Sequence, residues 1–304
     1  MANLGLSFIS PAPHVGAEYF LALARKTEEL NFHSLWINDR LVYDNFDPLA
    51  ALAAAAGATN RVKLGTAILL LPCRRPVLLA KTLATIDFIS QGRLIAGVGI
   101  GNRESDYDAV QVPFNRRGAR GLESIQLMRR LWREDNVKFK GEFFDVNELS
   151  LGPKPFANRV IPIWMGGNAD AVLKRTGRFA DGYICSTSAM VNFSAIWEKI
   201  SHYAQAAGRD PSKLEKAGLN YIAIDDNQDR AVDACVKFFE RYSGKAPSTI
   251  ESHMIVGPAS ACAERIDKLF TQGINTLILG MIIPDLNQAD LLAAKILPQL
   301  KGWL

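Results

Sequence analysis

Short runs of apolar and β-branched residues alternate along this chain with longer segments in which apolar positions recur at helical spacing. That is the order expected when each strand of a parallel sheet is followed by a helix that returns the chain to the next strand. The first strand is expected over 4–9, and a helix over 17–30 carries Phe20, Leu21, Ala24, Thr27 and Leu30 on one face. A second strand over 33–37 leads into Asn38-Asp39-Arg40, and Asp47-Pro48 caps and opens a helix that runs to Ala58. A third strand is expected over 62–68. Pro76 then opens a helix to about Ile89, Gln91-Gly92 stops it, and 93–98 forms the fourth strand.

After a helix over 117–134, the aromatic alternation across 137–151 with Gly141 at its centre predicts a hairpin excursion rather than another strand of the main sheet. The fifth and sixth strands fall at 161–165 and 181–185, with a helix over 169–179 between them. A helix over 197–207, a strand over 219–224 and a helix over 229–242 follow, and 243–252 is irregular. A helix over 258–272, an eighth strand at 276–279 and a closing helical stretch at 290–297 complete the series. Eight strand–helix repeats predict a single (β/α)8 TIM-barrel domain over 1–304, with a hairpin insertion and an irregular late segment. A doubly wound open sheet uses the same units but usually stops at five or six strands.

Composition fits an ordinary globular protein: 304 residues, 48% hydrophobic and 22% charged. The net charge of +4 is a small excess spread over a large surface, so nucleic acid is not an expected partner. No basic-plus-apolar leader pattern opens the chain, and the alanine-rich stretch 48–59 is too short to span a bilayer, so no membrane partner is expected. Cys73, Cys185, Cys235 and Cys262 form no C-x-x-C pair, which fits a reducing, cytoplasmic setting.

In such a barrel the chemistry sits just after each strand. Four strand ends stand out: Asn38-Asp39-Arg40, Thr66-Ala67-Ile68, the glycine series from Gly97 through Gly99 and Gly101 to Asn102, and Gly166-Gly167-Asn168 after Met165. Gly166-Gly167 precedes a helix N-terminus and suits a phosphate, or else supplies a tight turn with positive φ. The strand-four glycines suit a flat ring or a phosphate pressed against backbone, or simple strand packing. Asp39 points to the mouth, with helix capping or a pair with Arg40 as the alternatives. His14 follows strand one and can reach the mouth. Arg75 and Arg116 are candidate anion contacts from the clusters Arg74-Arg75 and Arg116-Arg117-Arg120, with pairing to Glu123 the plainer reading of the second. No metal-ligand spacing and no serine-hydrolase motif is present.

The series Leu64-Gly65-Thr66-Ala67-Ile68, Pro72, Arg75-Pro76, Gly92-Arg93-Leu94, Gly97-Val98-Gly99-Ile100-Gly101, Val112-Pro113-Phe114, Arg117-Gly118, Gly152-Pro153-Lys154-Pro155, Pro162-Ile163-Trp164-Met165-Gly166-Gly167 and Ala180-Asp181-Gly182-Tyr183 resembles the luciferase-like flavin and deazaflavin oxidoreductases. It is most similar to their branch dependent on coenzyme F420. The resemblance implies a deazaflavin or FMN ring in the barrel mouth, lying on a strand-three bulge with a non-prolyl cis peptide at Ala67-Ile68. It implies a cofactor cradle of Thr66, Ala67, Ile68, Gly99, Gly101, Asn102, Met165, Gly166, Gly167 and Asn168, with Asp39 at the ring and Gly166-Gly167 at the phosphate. Catalytic candidates are Asp39, Arg40, Asn102 and His14.

Two positions depart from the branch: Arg40 stands where its dehydrogenases have a histidine, and Asn102 where they have an acid. The implied function is hydride transfer between coenzyme F420 and a small organic substrate in a homodimer. The alternatives are an FMNH2-dependent monooxygenase and a non-catalytic flavin-binding relative. The loops 11–16, 106–113 and 243–254 carry no recognisable substrate chemistry.

Overall fold

A computed structural model describes residues 2–9 and 16–301. Eight parallel strands carry the fold: β1 (Asn3–Phe8), β2 (Ser34–Ile37), β3 (Lys63–Thr66), β4 (Leu94–Gly99), β5 (Ile163–Gly166), β6 (Gly182–Cys185), β7 (Glu215–Ile224) and β8 (Thr276–Met281). Each pairs with the next in sequence, and Asn3 opposite Thr276 closes β8 back onto β1. The ring is therefore a closed (β/α)8 barrel. Its outer helices are α1 (Ala17–Glu29), α2 (Pro48–Ala58), α3 (Pro76–Ile89), α4 (Arg117–Arg133), α5 (Asp170–Phe179), α6 (Phe193–Gln205), α7 (Gln228–Ser243) and α8 (Ala259–Thr271).

The expected helix signals act as predicted. Asp47 Oδ1 accepts from the N–H groups of Leu49 and Ala50, with Pro48 at the first helical position of α2. The segment 137–151 forms an antiparallel pair, Val137–Lys140 with Asp145–Leu149, outside the barrel. It is tied to α4 by Glu123, whose carboxylate accepts from the N–H groups of Glu142, Phe143 and Phe144 at 2.9, 2.9 and 2.8 Å. Arg93 is buried, and its guanidinium donates to the carbonyls of Ala56, Thr59, Val62 and Ser90 and to the Thr59 hydroxyl. It pins the end of α2 and the entries of β3 and β4 together.

Four elements differ from the sequence expectation. The third strand breaks after Thr66; the Ala67-Ile68 peptide is cis, and the chain resumes pairing as Leu69–Leu70 beside Val98 and Gly99. Strand seven starts at Glu215, not 219, because Glu215 through Gly218 pair with β6 although their sequence has no strand pattern. The helix α6 begins at Phe193, ahead of the expected Trp197. Just after the irregular late segment, Ile255–Gly257 pairs with the end of β7, a strand too short for periodicity to reveal.

Two apolar layers hold the fold. One lies between strands and helices, from Leu4 and Leu6 through Leu35, Leu64, Ile163 and Leu277. The other fills the barrel interior with Trp36, Ile95, Trp164, Ile184, Ala217 and Ile278, the two indoles 5.4 Å apart. Trp36 fits because its neighbour on β3 is Gly65, where a Cβ would stand 2.3 Å from the indole ring. The plug separates the two ends of the barrel.

Candidate active site

At the C-terminal ends of the strands a cavity of about 640 Å³ opens, within the roughly 300–1,000 Å³ common for cofactor and ligand sites. Ala67, Ile68, Leu70, Ile184 and Leu219 give it an apolar floor, while Asn168, Ser186, Thr187 and Ser188 give one wall a row of amides and hydroxyls. Phe239, Tyr242, Thr249, His253 and Met254 form the opposite wall, supplied by α7 and the segment that follows it.

Asp39 lines this cavity with its side chain 2% exposed, and its partner is neither Arg40 nor a helix terminus. Oδ2 accepts from the Leu70 N–H at 3.0 Å, and Arg74 donates to Oδ1 at 3.1 Å and to Oδ2 at 3.3 Å. Arg74 also reaches Asp47 at 2.9 Å, so one guanidinium links the end of β2, the α2 cap and the strand-three bulge. Burial works against its charge, and the two carboxylates outweigh that and raise its pKa. Arg40 instead stands 5.9 Å over the Tyr43 ring and lines the mouth as a cation.

The strand-four glycines serve two ends. A Cβ on Gly97 would lie 1.8 Å from the Thr66 carbonyl oxygen, and one on Gly99 would lie 1.9 Å from Ile68 Cδ1. These two glycines make room for the bulge, and Gly99 lies under Ile68 rather than at the cavity. Gly101, with φ +63°, does line it, beside Asn102. Gly166 and Gly167 line it too; Gly167 has φ +129°, a conformation L side chains rarely adopt. They lead into α5, whose first turn has no side-chain cap. Asp170 in that turn accepts from Tyr203 at 2.7 Å and from Lys199 at 3.4 Å, both on α6.

Of the residues singled out in the sequence, Asp39, Arg40, Ala67, Ile68, Gly101, Asn102, Gly166, Gly167 and Asn168 converge on this cavity. Thr66 and Met165 are buried away from it, Thr66 donating to the Gly97 carbonyl at 2.6 Å and Met165 packing in the layer under the helices. On a strand, neighbours of an inward residue point outward, and Gly166 takes the inward place. His14 lies outside the described residues. Arg75 and Arg116 are replaced by their neighbours: Arg74 holds Asp39, and Arg117, 3.7 Å over the Phe114 ring, reaches the cavity while Arg116 pairs with Glu142. Glu123 serves the hairpin, not an arginine on its own helix.

Sequence reasoning missed Tyr221 and Tyr242. Burial pushes the Tyr221 phenol up to about 12, with the Tyr242 charge adding to it, so it is a neutral hydroxyl at physiological pH. Tyr242 bonds the Asn38 amide at 2.5 Å, leaving Asn38 Oδ1 buried with no partner among the described residues. The aromatic pattern of 238–242 was the available signal, but it reads equally as core. The cavity also holds Cys185, whose thiol burial pushes up to about 12, a poor nucleophile.

This cavity suits a flat ring with a phosphate-bearing tail: an apolar floor, Arg40 and Arg117 as cations, and a wall of N–H and O–H donors beside an uncapped helix. The family model for luciferase-like monooxygenases matches residues 6–276. The chain belongs to the luciferase-like monooxygenase family. Among relatives in this family, it is 27% identical over 275 residues to the 5,10-methylenetetrahydromethanopterin reductase of Archaeoglobus fulgidus, covering 89% of this chain and 80% of that protein. It is 27% identical over 242 residues to the F420-dependent glucose-6-phosphate dehydrogenase of Amycolatopsis mediterranei, covering 76% and 72%. The luciferase-like barrel also superposes with TM-score 0.82 on the oxygenating constituent of 3,6-diketocamphane monooxygenase from Pseudomonas putida in complex with FMN, at 19% identity and 99% coverage of both chains. That last likeness concerns the fold.

Proposed function

We propose that this protein is an oxidoreductase that uses coenzyme F420 to pass a hydride to a small organic substrate held above the ring. The observation that carries this reading is the charge pattern of the mouth. Among the described residues lining it, Asp39 is the single carboxylate and is already neutralised by Arg74, whereas Arg40 and Arg117 have no carboxylate in the cavity. Such a site favours a ligand with several negative charges and offers no free carboxylate as a base, His253 on the α7 side being the imidazole among its described lining residues. Arg40 and Asn102 at the strand ends cannot take up a proton, so reduction of an activated double bond fits better than dehydrogenation of an alcohol. The F420-dependent relative supports the choice of cofactor.

When bound, the deazaflavin supplies a two-electron hydride carrier. In this reading Ala67, Ile68 and Leu219 orient its ring, and Gly166-Gly167 with Ser186 and Ser188 bind its phosphate. Arg40 and Arg117 balance its charge, and Phe239 with Met254 excludes water. Tyr221, neutral and half-buried in the cavity wall, can donate a hydrogen bond to a substrate oxygen, and the Asn102 amide can position one but cannot act as an acid.

Anaerobic fluorescence titration with F420 and with FMN, side by side, tests the proposal. Tight F420 binding, reduction of enones or imines, and no activity on alcohols are the expected results. Gly167→Val should weaken binding at least tenfold, and unchanged affinity would move the phosphate elsewhere. The second reading, an FMNH2-dependent monooxygenase, is favoured by the family's own chemistry and requires FMN binding with oxygen consumption. Binding of either cofactor with no turnover on any substrate would leave a non-catalytic carrier. The proposal includes a cytoplasmic homodimer; four unpaired thiols accord with a reducing compartment, and sedimentation equilibrium tests the dimer.

A further inference from the structure

A second cavity of about 320 Å³ opens at the opposite, N-terminal end of the barrel. Trp36, Ile95, Trp164, Ala217 and Ile278 fill the interior between it and the upper cavity, so the two do not communicate through the barrel. Its lining is basic: Lys63, Arg93, Arg159 and Lys213, with His33, against the carboxylates of Asp181 and Glu215. Asp181 is engaged by Arg129 at 2.7 Å and by the Ile163 N–H at 2.9 Å. Arg159 pairs with Asp87 at 3.1 Å, yet its Nε is buried without a partner among the described residues. The Lys63 ammonium makes no hydrogen bond or ion pair among the described residues, though it lies within the field of the Asp87 carboxylate.

We propose that this lower cavity is a binding site for a phosphate-type dianion, with Lys63 and Lys213 as its principal charge partners and Arg159 as a further donor. Four formal cations against two carboxylates leave two positive charges for the ligand to balance. The apolar side of the cavity, Ile95, Pro162 and Trp164, admits a small organic group, so the ligand class is a phosphomonoester with inorganic phosphate as its minimal form. The cations repel one another as the site stands. Burial, then Arg159 and Arg93, lower the Lys63 pKa, with Asp87 offsetting only part of this, and burial, then Lys63 and Arg61, lower that of His33. Besides these groups, His33 Nδ1 faces the Ser34 hydroxyl at 3.2 Å. An anion here would relieve that repulsion.

The four histidines make proton NMR a direct test, because His33 lines the lower cavity and His253 the upper one. Inorganic phosphate and glycerol phosphate are titrated separately into the full-length protein at constant ionic strength. The expected result is a saturable shift of the His33 ring signal with its titration midpoint moving upward, tighter for the organic phosphate. Lys63→Met/Lys213→Met should weaken the affinity at least tenfold with the upper-cavity cofactor affinity unchanged. Lys213→Glu alone, on an exposed residue, serves if the double variant does not fold. A shift at His253 without one at His33, no saturation, or equal affinity in the lysine variants would overturn the proposal. Equal binding of the two phosphates would limit it to the inorganic ion.

Discussion

The Asp39–Arg74 pair predicts an asymmetry between its two deletions. Replacing Arg74 by Met strands a carboxylate whose side chain is 2% exposed and leaves it one hydrogen bond, from the Leu70 N–H. Breaking a buried pair in this way typically costs about 3–5 kcal/mol. Asp39→Asn is milder, because an amide oxygen still accepts from Leu70 and Arg74, 19% exposed, keeps its bond to Asp47. A loss of about 1–2 kcal/mol is expected, the size of a charged hydrogen bond replaced by a neutral one. In the double variant no charge is stranded, so it should be more stable than Arg74→Met alone, with a coupling of about 1–3 kcal/mol. Urea unfolding at pH 7 measures all four proteins. The functional readout is cofactor affinity, since Asp39 fastens Leu70 and with it the floor of the cavity. If Asp39→Asn costs as much as Arg74→Met, or the two simply add, the carboxylate is not held by this pair and the account of the mouth's charge fails.

The remaining predictions concern the bulge, the hairpin and the lower end of the barrel. Gly97→Ala drives a methyl into the Thr66 carbonyl and should cost about 3 kcal/mol or more in unfolding experiments. Gly99→Ala meets only the end of the Ile68 side chain, so it should fold while displacing Ile68 into the cavity and weakening cofactor binding about tenfold, or about 1.4 kcal/mol. Glu123→Ala orphans three backbone N–H groups and should destabilise the protein by about 2–3 kcal/mol. Its amide exchange should rise first at Phe143 and Phe144, and unaltered protection there would remove Glu123 as the hairpin's anchor. His33 has a lowered pKa because it is buried and close to Lys63 and Arg61. The unfolded chain, with an ordinary histidine pKa of about 6.5, binds more protons in the window below that value. Stability should therefore fall as pH drops from about 6.5 towards the folded pKa, and His33→Gln should flatten that slope in thermal unfolding.

Local sequence determined the scaffold of this protein. Apolar periodicity located the eight strands and their helices, Asp47-Pro48 and Pro76 opened helices where they stand, and the alternation across 137–151 set a hairpin apart from the barrel. Many of the family-like motifs turn out to be scaffold as well. Arg93 gathers carbonyls, Lys154 bonds the Leu131 and Glu134 carbonyls at the end of α4, and Asp181 joins Arg129 to the Ile163 N–H. Such motifs reveal the family because they build its barrel, and for the same reason they carry no information about the substrate.

Partner choice belonged to tertiary structure. Whether Arg74 or Arg75, Arg117 or Arg116, meets the site depends on side-chain direction, and both members of each pair have the same chemistry in sequence. Met165 and Thr66 looked like cradle residues by proximity, but the strand's two-residue period turns them outward once closure of the barrel fixes which face is inside. Ile255–Gly257 becomes a strand only because the end of β7 offers it an edge. The break after Thr66 sits where Gly97 and Gly99, 31 residues or more away along the chain, leave space for a carbonyl and an isoleucine. Periodicity is a property of neighbours in sequence, whereas a binding cavity is made by residues that only a closed barrel brings together.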